Sequence, residues 1–346
     1  MAYNPGAVFG KTFTSGDLTG YLNKTRPRVI KEIQDAIFNE STYLKWMEKF
    51  GAVKRGEGGS GIQMHLRMAK NTTVGARQLR SGIPLDAQDQ HRVGFETWAE
   101  YSGAAVFDAL TLKTNQGPEQ LIPVFEEEIF NLKTTMADTV NTDLMTGSGV
   151  QPTLTGIDSL ISTTPTTGTI HGITRSGNSW AQNQQIASSC ATTDGFGPIC
   201  VQEADRLLKL MSPQQGWRKV KMCLMDDAVH ANMLYYMPRW ASMVPQVLPS
   251  SKITGKVDAA NADDPGQFMF RGAVSIWDHA APTDSIRFIT PGIDGICIHV
   301  VKDLDFKVES PYRAENSFNT NIIVGAAMLQ MNHNPRRSGV LHTFSS

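Results

Sequence analysis

"GPEQLIPVFEEEIFNLKTTMADTVNTDLMTGSG", Gly117 to Gly149, carries the strongest helical signal in the chain, and the rest is read outward from it. Leu121, Phe125, Ile129, Leu132, Met136, Val140 and Leu144 recur at three- and four-residue steps, which places them on one helical stripe. Pro118 suits a first turn. Pro123 inside a helix would remove a hydrogen bond, so the regular helix is expected to begin near Leu121. Gly147 is the expected stop. From Leu121 to Met145 the helix would run roughly 37 Å, long enough to act as a spine. The acidic triplet Glu126 to Glu128 lies near its start, where the helix dipole favours negative charge.

On the N-terminal side, residues 1–27 are rich in Gly, Thr, Asn and Pro and show neither a helical nor a strand period, which suggests an extended arm. Thr25 to Phe50 is helical in pattern, with a break near Ser41. "GEGGSG", Gly56 to Gly61, matches G-x-G-x-x-G in form. A dinucleotide site needs a strand before it and a helix after it. The expected order here is helix before and strand after, so the run is taken as a hinge. Ile62, Met64, Leu66 and Met68 then alternate with Gln63, His65 and Arg67, the period of a strand. A polar, turn-rich stretch follows, and a second β-like run carries Phe95, Trp98, Tyr101 and Phe107. Together these make a projecting hairpin. A two-stranded hairpin is marginal in water, so its apolar strip needs cover from the body or from a neighbouring subunit.

On the C-terminal side, "TPTTGTIHGITRSGNSW", Thr164 to Trp180, is a long polar loop closed by one large aromatic. Beyond it, "VQEADRLLKLM" and "DDAVHANMLYYM" have helical patterns. "KVKMCLM" alternates as a strand, with Val220, Met222 and Leu224 on one face. "AVSIWDH", "SIRFITP", "GICIHVV", "FKVESPY" and "NIIVGAAMLQM" are further strands. Helices and strands do not alternate regularly, so the class is α+β. There is no internal repeat.

The chain has 346 residues, 40% hydrophobic and 19% charged, enough for a sizeable core. Its formal net charge of −1 excludes a molecule that is basic throughout, as many nucleic-acid binders are. No stretch approaches the ~20 apolar residues of a membrane span. The N-terminus lacks a secretory pattern, which suggests a protein made and kept in a cytosol. Cys190, Cys200, Cys223 and Cys297 show no CxxC spacing and are expected as reduced structural thiols.

Catalytic signatures are absent: there is no HExxH, GxSxG, GxxxxGK[ST] or paired CxxC. Asp226, Asp227 and His230 fall one helical turn apart, where metal ligands could converge, but solvated helix residues have the same spacing. Trp277-Asp278-His279 and Asn332-His333-Asn334 fit strand-end turns. No catalytic, cofactor or metal residue is assigned.

Three stretches resemble the major capsid proteins of tailed bacteriophages with the Hong Kong 97 type of fold. "FETWAEYSGAAVFDALTL" is similar to the strand returning from that family's extended loop. "IPVFEEEIFNLKTTMADTVNTDLMTGSG" resembles its spine helix. "GIDSLISTTPTTGTIHGITRSGNSWAQNQ" resembles its passage from a short apolar helix through a Thr/Gly loop to an Asn-rich segment. The order of parts agrees from roughly Arg55 onward. The resemblance implies an N-terminal arm at 1–28, an N-terminal helical segment at 29–51 and an extended β-hairpin loop at 52–112. It further implies a peripheral domain with the spine helix at 113–195, an axial domain at 196–300, and return strands at 301–346.

On that resemblance the chain is expected to form pentamers and hexamers of an icosahedral head around double-stranded DNA, and to act as no enzyme. Ile62, Met64, Leu66, Met68 and Trp98 would be an intersubunit hairpin face. The seven-residue stripe would be the spine-helix core, and Trp180 would anchor its loop. The short N-terminal stretch implies a separate scaffolding protein, alongside a portal and a decoration protein. Genome contact on the inner face would be nonspecific. The place of action would be the virion, assembled in the cytoplasm of a host bacterium. Lys70 is the residue to consider for a Lys–Asn cross-link of the kind some members form. The alternatives are an encapsulin nanocompartment and a soluble metal-dependent α+β enzyme built on Asp226, Asp227 and His230.

Overall fold

The computed structural model describes residues 41–56, 58–77, 81–82, 87–108, 118–188, 198–211, 220–240, 269–293, 295–301, 307–308, 312–313 and 320–342. The expected arm and most of the N-terminal helical segment lie outside them.

Ser41 is where the described chain becomes helical. Its side chain accepts a hydrogen bond from the Leu44 amide at 3.2 Å, capping helix α1, Thr42–Lys49. The break in the helical period near Ser41 is therefore a helix start. Helix α1 buries Tyr43, Leu44, Trp46 and Met47. Strand β1, Val53–Gly56, follows, and then strand β2, Ile62–Arg67. A strand thus precedes the glycine run, unlike the expected order, but another strand follows it. The strand–turn–helix unit of a dinucleotide site is not formed.

The spine helix α2 spans Pro118–Thr146, 29 residues, about 43 Å at 1.5 Å per residue. It starts three residues before Leu121, with Pro123 inside its first two turns. Pro123 is the sixth residue, just past the four amides that have no intrahelical partner, so it removes one backbone hydrogen bond, which a 29-residue helix accommodates near its start. Gly147 ends the helix, donating to the Asp143 carbonyl at 2.8 Å. A β-carbon at Gly147 would lie 2.3 Å from the Leu154 carbonyl oxygen, so the returning chain requires glycine there by close approach.

Met136, Val140 and Leu144 are buried, together with Ala137, Asn141 and Met145, and Leu132 is half-buried. The side chains of Leu121, Phe125 and Ile129 lie outside the described residues. Thr135, Asp138 and Thr142 face outward.

The described strands include two six-stranded sheets, and the helix packs on strand β4, Ala99–Asp108, of the first. In the first, β1 runs parallel to β12, Ile296–Val301, which pairs antiparallel with the long return strand β15, Thr320–His333. Strand β15 also pairs with β4, from Thr320 opposite Asp108 to Leu329 opposite Ala99. Short strands β13, Lys307–Val308, and β14, Tyr312–Arg313, join β15 as well. A β-carbon at Gly103 of β4 would sit 2.6 Å from Leu132 Cδ1 and 3.3 Å from Met136 Sδ, so the helix rides close on this strand.

The second sheet has the order β7, β16, β11, β8, β10, β9. Its strands are β7, Gln184–Ala187; β8, Met222–Met225; β9, Met269–Phe270; β10, Ala273–Trp277; β11, Ser285–Ile289; and β16, Gly339–His342. Strand β8 is central and buried on both faces, not on one. Met222 and Leu224 join the core made with α1, α2 and the first sheet. Cys223 and Met225 pack under helix α3, Pro198–Met211, on the other side. Strands drawn from 113–195 (β7) and 301–346 (β16) complete a sheet whose other members lie in 196–300. Among the described residues no helix is long and apolar enough to cross a membrane.

Candidate assembly hairpin and its root

Strand β2 pairs antiparallel with β3, His91–Glu96, from Ile62 opposite Glu96 to Arg67 opposite His91. Beyond the strands the polar turn ties itself together. Asn71 Oδ1 accepts from the Thr73 amide and hydroxyl at 2.8 and 2.6 Å, and Gln88 Oε1 accepts from the Thr72 amide at 3.0 Å. Arg77 donates to the carbonyls of Gly82 and Thr73, both at 2.6 Å.

The two faces differ. Met64 and Leu66 are only 8% and 3% exposed within this single chain, while Ile62 and Met68 are half-buried. The strip expected between subunits is thus covered largely by its own body, because its alternating apolar face turns inward. On the other face Val93 and Phe95 are 50% and 42% exposed, beside exposed Gln63, His65 and Arg67. The sequence reading missed this pair. The available signal was Gly94 between them, since glycine inside a strand marks a close approach on one face. A β-carbon at Gly94 would lie 2.6 Å from His171 Cβ.

The root of the hairpin is a dense polar junction. Trp98 is half-buried and its indole donates to the Gly59 carbonyl at 2.9 Å, tying the second strand to the glycine hinge. Gln151 donates to Thr97 Oγ1 at 2.6 Å and to the Trp98 carbonyl at 3.0 Å. Gln330 of β15 donates to the Thr97 carbonyl at 2.9 Å and accepts from the Thr155 amide at 3.2 Å. Glu96 accepts from Thr155 Oγ1 at 3.3 Å and from the His171 amide at 3.0 Å.

His171 comes from the long polar loop. Strands β5, Thr169–Ile170, and β6, Ile173–Thr174, form a small hairpin with His171 and Gly172 at its tip, both at positive φ (51° and 73°). The loop satisfies its own backbone: Thr167 donates to the Thr164 carbonyl at 3.1 Å, Arg175 to Gly168 at 3.0 Å and Asn178 to Arg175 at 3.1 Å. Trp180 lies in a 3-10 turn, Ser179–Ala181, half-buried and packed against the core. His333, at the end of β15, is fully buried with its Nε2 against Ser338 Oγ. Burial, then the charges of His171 and Arg175, push His333 well below the usual histidine range.

Asp226, Asp227 and His230 do not converge. Asp226 caps helix α4, Asp227–Trp240, accepting from the Val229 amide at 3.1 Å, and burial raises its carboxyl above the ordinary range. Asp227 is exposed and His230 buried. Among the described residues no group of three His, Cys, Asp or Glu is placed to hold a metal. Cys223 and Cys297 are free thiols, but Cys200 is disulfide-bonded, which corrects the expectation of reduced cysteines. Pairing depends on the distance between Cα atoms in space, which sequence spacing does not report.

No family model matches the sequence, and no curated protein matches it significantly. Solved structures do match the fold. A capsid chain of the cyanophage A-1(L) is 12% identical at a TM-score of 0.59, covering 85% of this chain and 91% of that one. The capsid chain of a native GTA particle is 11% identical at 0.56, covering 85% and 88%. The SrpI encapsulin of Synechococcus elongatus is 12% identical at 0.52, covering 86% of each. At such identities the likeness is one of fold, and the chain has the Hong Kong 97-type fold of tailed-phage capsid proteins.

Proposed function

We propose that this chain is a major capsid protein whose copies form pentamers and hexamers of an icosahedral phage head around double-stranded DNA. The observation that carries the reading is the fold itself, matched over most of both chains. Segments 1–28, 29–51, 52–112, 113–195, 196–300 and 301–346 then serve as arm, N-terminal helix, extended loop, peripheral domain, axial domain and return strands. The outward hairpin face with Val93 and Phe95 lies across an adjacent subunit. Each contact is modest, and repetition around a closed shell makes the whole far more stable than any one of them. A scaffolding protein, a portal and a decoration protein are the partners of such a head. The protein acts in the virion after assembly in the bacterial cytoplasm, and performs no catalysis.

The likeness to the encapsulin supports a second reading, a nanocompartment shell. Negative-stain microscopy of the expressed full-length chain tests both. Closed shells are expected, and elution as a small oligomer with no shells would overturn the shell reading. Particles that hold a protein cargo and no nucleic acid would decide for the nanocompartment.

A further inference from the structure

The His171 side chain touches separate parts of the chain. Its Nδ1 lies 3.2 Å from Glu96 Oε1, at the root of the hairpin. Its Nε2 lies 3.2 Å from the His333 carbonyl oxygen, at the end of β15. Its backbone carbonyl accepts from the Phe95 amide at 3.1 Å. The ring is buried, and Gly94 leaves the space it occupies.

Both ring nitrogens therefore face oxygen acceptors. A carbonyl oxygen and an ionised carboxylate can only accept, and neutral imidazole has a single N–H. With one proton, one of the two contacts sets lone pair against lone pair. With two protons, the Nε2 contact is a hydrogen bond and the Nδ1 contact an ion pair with Glu96. The turn itself does not require histidine, because glycine takes positive φ without strain and asparagine is enriched there as well. A residue held in such a conformation motivates a functional hypothesis.

We propose that His171 is a proton-dependent latch, in which the doubly protonated ring clips the projecting hairpin to the body at its root. Glu96 supplies the opposing charge and is itself held by Thr155 Oγ1. On the other sides stand His333, kept neutral, and Arg175, whose guanidinium donates to the Ser159 and Leu160 carbonyls at 2.6 and 3.0 Å. The latch is closed while the second proton is bound and opens when it is lost. Its use in assembly rests on the shell reading, whereas the latch itself does not.

The test is hydrogen exchange by mass spectrometry on the unassembled full-length chain between pH 5.5 and 8, corrected for intrinsic rates. A peptide spanning Arg92 to Thr97 should lose protection roughly tenfold or more across that range, the size expected for one hydrogen bond to a charged group. His171→Asn keeps the turn and should exchange fast at every pH. Glu96→Gln keeps an oxygen acceptor without the charge and should move the rise to lower pH. A wild-type profile that is flat with pH, or a Glu96→Gln profile superposing on wild type, overturns the latch. Absence of shells under the microscope would sink the shell reading and leave this exchange profile standing.

Discussion

Asn141 shows how single residues hold this molecule. Ser41 Oγ donates to Asn141 Oδ1 at 2.6 Å, and Asn141 Nδ2 donates to Asp278 Oδ1 at 2.9 Å. One buried amide on the spine thus joins the cap of α1 to the turn after β10. Asn141→Ala leaves the buried Asp278 carboxylate one donor short, which costs about 1–3 kcal/mol. Asp138→Ala, three residues away on the exposed face, should stay within about 0.5 kcal/mol. Equal shifts of the urea midpoint would show that the network does not carry this stability.

His333 gives a pH dependence at the same scale. Its folded value is depressed, so above the ordinary value of ~6.5 the ring is neutral folded and unfolded, and stability is unaffected. Below that value the unfolded chain takes up a proton that the folded chain resists, and stability is lost as pH falls. His299 and His342 shift the same way, mainly through burial. Urea midpoints should fall from pH 7.5 to 5, and His333→Gln should reduce that slope without abolishing it. An unchanged slope in the variant would contradict the assignment. This global effect runs opposite in sign to the local hold at the hairpin root.

At the scale of elements, the spine and the hairpin respond differently. Leu144 is fully buried in a core to which strands of both sheets contribute, and Leu144→Ala should cost about 2–5 kcal/mol in a urea melt of unassembled subunits. In the hairpin, the burial of Met64 inside its own chain makes Met64→Asp a folding defect, expected to lower the midpoint. Val93→Asp, on the outward face, should leave the midpoint in place and block shell formation under the microscope. Normal shells from Val93→Asp would remove that face from the proposed contact between copies. The helix was legible because a period of 3.6 is local to its 29 residues. Its start was not legible, because whether Pro123 breaks a helix depends on how near it lies to the end.

For the whole molecule, a formal charge of −1 leaves little net attraction for a polyanion. The isolated subunit should bind duplex DNA weakly and without sequence preference, and lose that binding between about 50 and 200 mM salt. Tight, sequence-selective retention in a filter assay would contradict this. The layout explains why no contiguous stretch of sequence is self-sufficient. Strand β15 draws β4 and β12 into one sheet from more than 200 residues and about 30 residues away respectively, and β16 brings β7 to β11 in the other.

By itself the sequence determined the existence and type of the long elements: the spine helix, the two amphipathic helices beyond it, and the alternating strands of the hairpin. These follow from periods that repeat within a few turns or residues, and the order of those elements was enough to resemble a known fold. Tertiary structure alone decided what each face meets. It turned Met64 and Leu66 inward and left Val93 and Phe95 outside. It buried both sides of β8, dispersed Asp226, Asp227 and His230, and bonded Cys200. It also set His171 between Glu96 and His333, 75 and 162 residues away along the chain. No local period encodes contacts at that separation. They form only when the sheets close on the spine and buried polar groups must find partners.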